Sequence, residues 1–275
     1  MAITVGTDLA DSQIEVYDQA VHIFGKNIVS LDGDGSVTFG GSIWGKDNVF
    51  HIYTRLAAAT TPLTDGTEVT PVTMVDSKVV ITPVEYGTVV APTRYANSTT
   101  AGKADLAAAQ LVAVNMIETM NQLGVNALEA ATNSTAAATP GTLAKGDLRA
   151  AYEQLASAGA LKFPDGRYRL RLHPKQITDL KDDYEGIVKY TSADLALNGE
   201  VGRLEGFTII EDRAVTDGVG ICYAVNALGM SESIALDTRI TAGTDNLGRI
   251  MNYGYYTVRE YGIVDQNSAQ LITGS

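Results

Sequence analysis

Four prolines punctuate one stretch of this chain and restrict what it can become. Between Leu56 and Thr93 the sequence LAAATTPLTDGTEVTPVTMVDSKVVITPVEYGTVVAPT carries Pro62, Pro71, Pro83 and Pro92. Proline lacks the N–H that a sheet ladder needs, so these prolines confine any strands here to edges or free arms. The density of Thr and Val and the lack of helical spacing make the segment a β-ribbon, led in by a strand over Val49 to Thr54. Its expected arms are Glu68 to Met74 and Lys78 to Ile81, with Asp76-Ser77 as the turn. Such a ribbon has little core of its own, so it is best explained if it lies on another molecule.

Helical spacing takes over after Thr99. Leu106, Ala109, Ala113, Met116, Met120, Leu123 and Ala127 step by three and four, predicting one helix from about Lys103 to Thr132. Thr99, Thr100 and Asp105 suit its start. At 1.5 Å per residue it would be roughly 40 Å long. Gly124 interrupts it and marks either a kink or a close approach. Ala130 to Thr142 is expected to be a loop, followed by a helix from Lys145 to Ala158 that stops at Gly159.

Upstream, Ile14, Tyr17, Ala20 or Val21, and Phe24 predict a helix over Asp11 to about Val29, and a turn-rich string runs from Leu31 to Ser36. Downstream, Arg167 to Leu172 alternates strictly and predicts a strand, and Lys175 to Asp182 a short helix. Further strands are expected at Gly206 to Glu211, Gly220 to Ala227 and Tyr255 to Val264. A β-arm, then a long helix, then mixed elements indicate an α+β fold.

The chemistry-bearing signatures fail one by one. No Gly-Lys pair has the phosphate-loop spacing, and Gly33-x-Gly35 lacks its third glycine. The string Gly229-Met230-Ser231-Glu232-Ser233 has serine where a hydrolase elbow needs glycine. His22, His51 and His173 stand apart, without metal-ligand spacing. The Asp32-Gly33-Asp34-Gly35-Ser36 string begins like a calcium loop, but Val37 and Ile43 occupy its glycine and glutamate positions. No cofactor, metal or catalytic residue is therefore assigned. Cys222, the single cysteine, sits in an apolar run and reads as a buried structural thiol. No stretch is apolar for the ~20 residues a membrane span requires, and the first residues lack the basic and apolar regions of a secretory signal. The formal net charge of −12 disfavours a dedicated grip on nucleic acid.

Against this acidic background Arg167, Arg169 and Arg171 alternate with Tyr168, Leu170 and Leu172, so three guanidiniums share one strand face. That face is either exposed and paired with local acids, or a basic stripe that meets an acidic patch on a neighbouring subunit, or a contact to enclosed DNA.

Several strings in order then resemble a known family. They are Ala57 to Gly66 (AAATTPLTDG), Val84-Glu85-Tyr86-Gly87, His173 to Leu180 (HPKQITDL), Gly199 to Phe207 (GEVGRLEGF) and Tyr256 to Gly262 (YTVREYG). Together with the long helix they resemble tailed-phage major capsid proteins of the Hong Kong 97-type fold, over about residues 11 to 270. The resemblance implies an N-terminal arm (1–45), an extended β-loop with flanking strands (46–97) and a peripheral domain with a spine helix (98–140). It further implies a mainly axial domain (141–250) and a C-terminal strand returning to the peripheral domain (251–275). It implies self-assembly into pentamers and hexamers of an icosahedral head that encloses double-stranded DNA without reading its sequence. Scaffolding, portal and decoration proteins are the other implied partners, and the virion, assembled in the host cytoplasm, is the implied location. Candidate inter-subunit contacts are Glu68, Asp76, Lys78, Arg94, Arg167, Arg169 and Arg171. An encapsulin-like compartment around an enzyme cargo is the alternative on the same fold, and an acidic hydrolase or lectin the alternative on another.

Overall fold

A computed structural model describes residues 31, 37–42, 46–66, 68–99, 103–185, 202–243 and 247–274. The predicted helix over 11–29, the string 32–36 and most of the expected arm lie outside the described residues.

In chain order the elements are β1 (Val37–Ser42), β2 (Asn48–Tyr53), β3 (Asp76–Ile81), β4 (Val84–Val90), α1 (Arg94–Thr99), α2 (Lys103–Glu129) and β5 (Ser134–Ala136). Next come α3 (Lys145–Ser157), β6 (Tyr168–Leu172), α4 (Pro174–Glu185), β7 (Arg203–Leu204), β8 (Phe207–Glu211) and β9 (Val219–Tyr223). The chain closes with β10 (Leu228–Ala242), β11 (Met251–Ile263), a 3-10 turn (Gln266–Ser268) and β12 (Ala269–Thr273).

These strands make a four-stranded sheet in the order β1-β10-β11-β4, a six-stranded sheet in the order β5-β12-β9-β6-β8-β7, and the two-stranded ribbon β2-β3. The mixture is α+β, as expected. Pro83 and Pro92 flank β4, which is an edge strand. Gly159, at φ +75°, takes the left-handed turn that stops α3, and Pro174 opens α4 where its missing N–H costs nothing.

The 27-residue helix α2 serves both sheets. Along its first two-thirds Ala108, Ala109, Val112, Met116 and Met120 pack on Tyr253 and Tyr255 of β11. Along the remainder Val125 and Leu128 join Phe163, Ile221, Tyr223 and Leu271 over the six-stranded sheet. The buried face therefore rotates along the helix. Leu106, expected in the seam, is 47% exposed, and Asn121 and Val125, outside it, are buried. Gly124 marks close packing: a Cβ there would stand 2.7 Å from Leu31 Cδ1. On the other face of the six-stranded sheet, Leu148, Ala151 and Leu155 of α3 and Ile177 and Leu180 of α4 cover Tyr168, Leu170, Leu172 and Cys222. Cys222 is a free, buried thiol whose pKa burial pushes up.

Three expectations change. The ribbon pairs β2 with β3, Tyr53 opposite Asp76 and Asn48 opposite Ile81. Residues 68–74 are not a strand, and Asp76-Ser77 opens β3 instead of forming a turn; with Pro71 in their middle, residues 68–74 lack a ladder partner. The expected 130–142 loop contributes β5, parallel to β12. The 15-residue β10, missed in the sequence, pairs along β11, so the four-stranded sheet resumes at Leu228. The C-terminal segment serves both sheets, β11 the first and β12 the second.

Candidate inter-subunit surface

The ribbon is anchored at one end and bare at the other. At its base Ile81 is 4% exposed and Asn48 is buried. The Thr82 hydroxyl donates to Asp47 Oδ1 at 2.6 Å, joining the two strands' entry and exit. Past Tyr53 the ladder ends with the Thr54 N–H donating to the Val75 carbonyl at 3.0 Å. Every described residue from Thr54 to Val75 is exposed. That loop carries Leu56, Leu63, Val69, Val72, Met74 and Val75 into solvent, Leu63 at 77% and Val72 at 75% exposure. Long connections without secondary structure are often functional, and so many large exposed apolar side chains on one projection make it the candidate interaction surface.

Alternation divides the ribbon itself. Val49, His51 and Tyr53 oppose Val80, Lys78 and Asp76, and all six are exposed. His51 Nδ1 lies 3.4 Å from Asp76 Oδ2 on this face. Of the charged candidates, Glu68, Asp76 and Lys78 are thus exposed on the loop and ribbon. Arg94 is exposed at the start of α1, where its N–H donates to the Arg249 carbonyl at 2.7 Å.

The arginine strand comes out differently. Its alternation is as expected, but the arginine face lies toward α2. Arg171 is wholly buried. Its Nη1 donates to Asp212 Oδ2 at 2.6 Å and to Asn121 Oδ1 at 3.2 Å, and its Nε donates to the Tyr223 hydroxyl at 2.9 Å. Asn121 Nδ2 closes the network onto both Asp212 oxygens, at 3.0 and 2.8 Å. Burial works against the Arg171 charge, but Tyr223 and Asp212 outweigh it and raise the guanidinium pKa. Arg171 is therefore unavailable to a neighbour, and the basic-stripe expectation fails at this residue. Arg169 lies 4.5 Å from the Phe163 ring centre and donates to Asp165 Oδ2 at 2.6 Å, a bond that lowers the Asp165 pKa. Arg167 is half-buried. Pairing with a local acid describes Arg169 alone; Arg171 is buried against α2 and paired with the distant Asp212. Nothing in strand periodicity reveals that cover.

Among the described residues no group of three or more His, Cys, Asp or Glu could hold a metal ion, and no helix is long and apolar enough to cross a membrane. An open depression of about 430 Å³ lies between α3 and β5, lined by neutral groups that include Asn133, Gln154, Ser157, Asn267 and Gln270.

No known protein family matches the sequence, and no curated protein does. Solved structures do match in fold. The capsid of cyanophage P-SCSP1u superposes with a TM-score of 0.69 at 14% identity, over 90% of this chain and 88% of that one. The capsid of Ralstonia phage GP4 gives 0.68 at 11% identity, over 87% of each chain. A virus-like particle from Pyrococcus furiosus gives 0.61 at 13% identity, over 94% of this chain and 98% of that one. The chain has the fold of these subunits, the Hong Kong 97-type fold that the sequence resemblance implies.

Proposed function

We propose that this chain is the major capsid protein of a tailed bacterial virus, self-assembling into the pentamers and hexamers of an icosahedral head around double-stranded DNA. One observation carries the reading: a fold shared with shell subunits bears an anchored ribbon whose far half, residues 54–75, exposes apolar side chains that no described residue covers. On a neighbouring copy those side chains would be covered. A contact of about 800 Å² per partner is ordinary for a stable interface, and each contact in a closed shell can be weak because every copy makes several.

In this reading the four-stranded sheet with α2 is the peripheral domain and the six-stranded sheet with α3 and α4 is the axial domain, which meets its copies at ring centres. Heterologous contacts that close into rings build such shells. Glu68, Asp76, Lys78 and Arg94 are the charged contacts nearest the arm, and Arg167 and Arg169 are candidates on the second domain. The acidic surface would enclose DNA without gripping it. Scaffolding, portal and decoration proteins are further partners in this proposal.

The test removes the arm and spares its anchor. Replacing residues 56–73 with a short glycine-containing turn leaves β3 and Ile81 in place. The variant should melt as the parent does and sediment as single subunits or small oligomers, with closed shells absent. Normal shells from it would overturn the reading. In shells from the parent chain, nuclease-protected DNA separates a viral head from the compartment reading, which predicts a copurifying protein cargo.

A further inference from the structure

The ribbon stands on a floor without side chains. Gly229 of β10 and Gly262 of β11 are register partners, and Gly40 lies on the adjoining β1. Facing glycines in the central pair of a sheet weaken it, and their usual reason is the close approach of another element. Here side chains of the ribbon, joined at Gly229 by Val264, fill the space. A Cβ at Gly262 would meet only Ile81, at 3.0 and 3.1 Å from Cδ1 and Cγ1. One at Gly229 would stand 2.6 Å from Val264 Cγ2, 2.9 Å from Phe50 Cζ and 3.1 Å from Ile81 Cδ1, and one at Gly40 would meet Asn48 Nδ2 first and stand 2.7 Å from Phe50 Cζ. Phe50 comes from β2 and Ile81 from β3, so both strands of the ribbon are seated on the four-stranded sheet.

We propose that this glycine seat sets the direction in which the ribbon leaves the subunit, and through it the geometry of contact with a second copy of the chain. The second half of this inference rests on the reading of the ribbon as the assembly arm. Beyond the seat the ribbon is more exposed, with Tyr53 at its far end 59% exposed. It acts as a lever. Six residues of strand span about 20 Å, so a tilt of about 10° at the base moves the far end by about 3.5 Å. Close-packed contacts do not absorb a displacement of that size. Glycine is needed at 262 because a side chain there would lift Ile81 and turn the lever.

Gly262→Val tests this in the full-length chain, with Ile81→Ala as the compensating change that makes room for the new side chain. Nitroxide labels on Ser77→Cys and Glu118→Cys, both exposed, report the ribbon's direction relative to α2; the native Cys222 is buried and out of reach. The expected result is a shifted interspin distance in Gly262→Val subunits that melt cooperatively, with shell yield at least tenfold lower and both effects reversed in the double variant. Should Gly262→Val not fold, Ile81→Ala alone empties the seat, and the distance distribution should broaden as shell yield falls. An unchanged distance distribution in folded single variants overturns the seat. Shifted distances with parental shell yield would overturn its link to assembly and, with it, the ribbon's proposed role.

Discussion

Arg171 shows how much one residue's role depends on what covers it. A charge with no exposure is tolerated because Asp212, Asn121 and Tyr223 surround it with acceptors. Removing one partner of such a pair strands the other, at a cost of about 3–5 kcal/mol. Arg171→Met should therefore lower stability by that order in urea titration, and adding Asp212→Leu should restore a large part of it. A single variant as stable as the parent would mean the network contributes nothing. Tyrosine ionisation sets a second expectation. Burial, then the bond to Glu260, raises Tyr86 to about 12, and burial with Asp105 raises Tyr253 to about 12. The unfolded chain ionises near 10 and the folded chain later, so folded subunits bind more protons in between. Stability should therefore fall as pH rises from about 10 to 12. Tyr86→Phe should flatten that fall, as read from unfolding midpoints across the interval, and an equally steep fall would sink the assignment.

At the scale of elements, α2 is the part that others are built around. It packs on one sheet as far as Met120 and on the other from Val125, so its register fixes how the two sheets sit. Gly124 is where space, not propensity, decides. Alanine in a helix interior is favoured over glycine by about 1 kcal/mol. Here its Cβ would press to 2.7 Å from Leu31 Cδ1, so Gly124→Ala should destabilise despite the propensity gain. Leu31→Ala, harmful alone, should become less so in the Gly124→Ala background. Additive effects in calorimetry would show that the two do not touch. The same balance explains why β10 escaped detection. Ser231, Glu232, Asp237 and Thr238 give it no apolar alternation, and its register with β11 shifts between Glu232 and Ile234 and again between Ile234 and Asp237. Its pairing draws instead on cross-strand contacts such as Arg259 Nη2 to Glu232 Oε2 at 2.6 Å.

For the whole molecule, charge opposes the assembly proposed above. A net charge of −12 on every copy makes neighbours repel, and ions screen that repulsion within about 10 Å at 0.1 M salt. Shell formation should accelerate as salt rises, measured by light scattering across a salt series at fixed protein concentration. Faster assembly at low salt would show instead that opposite-charge contacts, such as those available to Lys78 and Arg94, control the rate.

Local chemistry was legible wherever one residue's neighbours in sequence are also its neighbours in space. The α2 spacing, the Arg167 to Leu172 alternation, the stop at Gly159 and the edge placement of β4 between Pro83 and Pro92 all stem from backbone geometry over a few residues. The long-range pairings were not legible, because they depend on which surface arrives from far along the chain. Residues 68–74 read as a strand, but Asn48–Tyr53 is the segment that reaches Asp76–Ile81. The arginine face read as open, but Asn121, fifty positions away, closes it. Periodicity states that a strand has two faces and a helix a stripe. Only tertiary packing, through the burial and hydrogen bonds gained over those distances, decided that one arginine face would be core and that the loop beyond the ribbon would stay exposed.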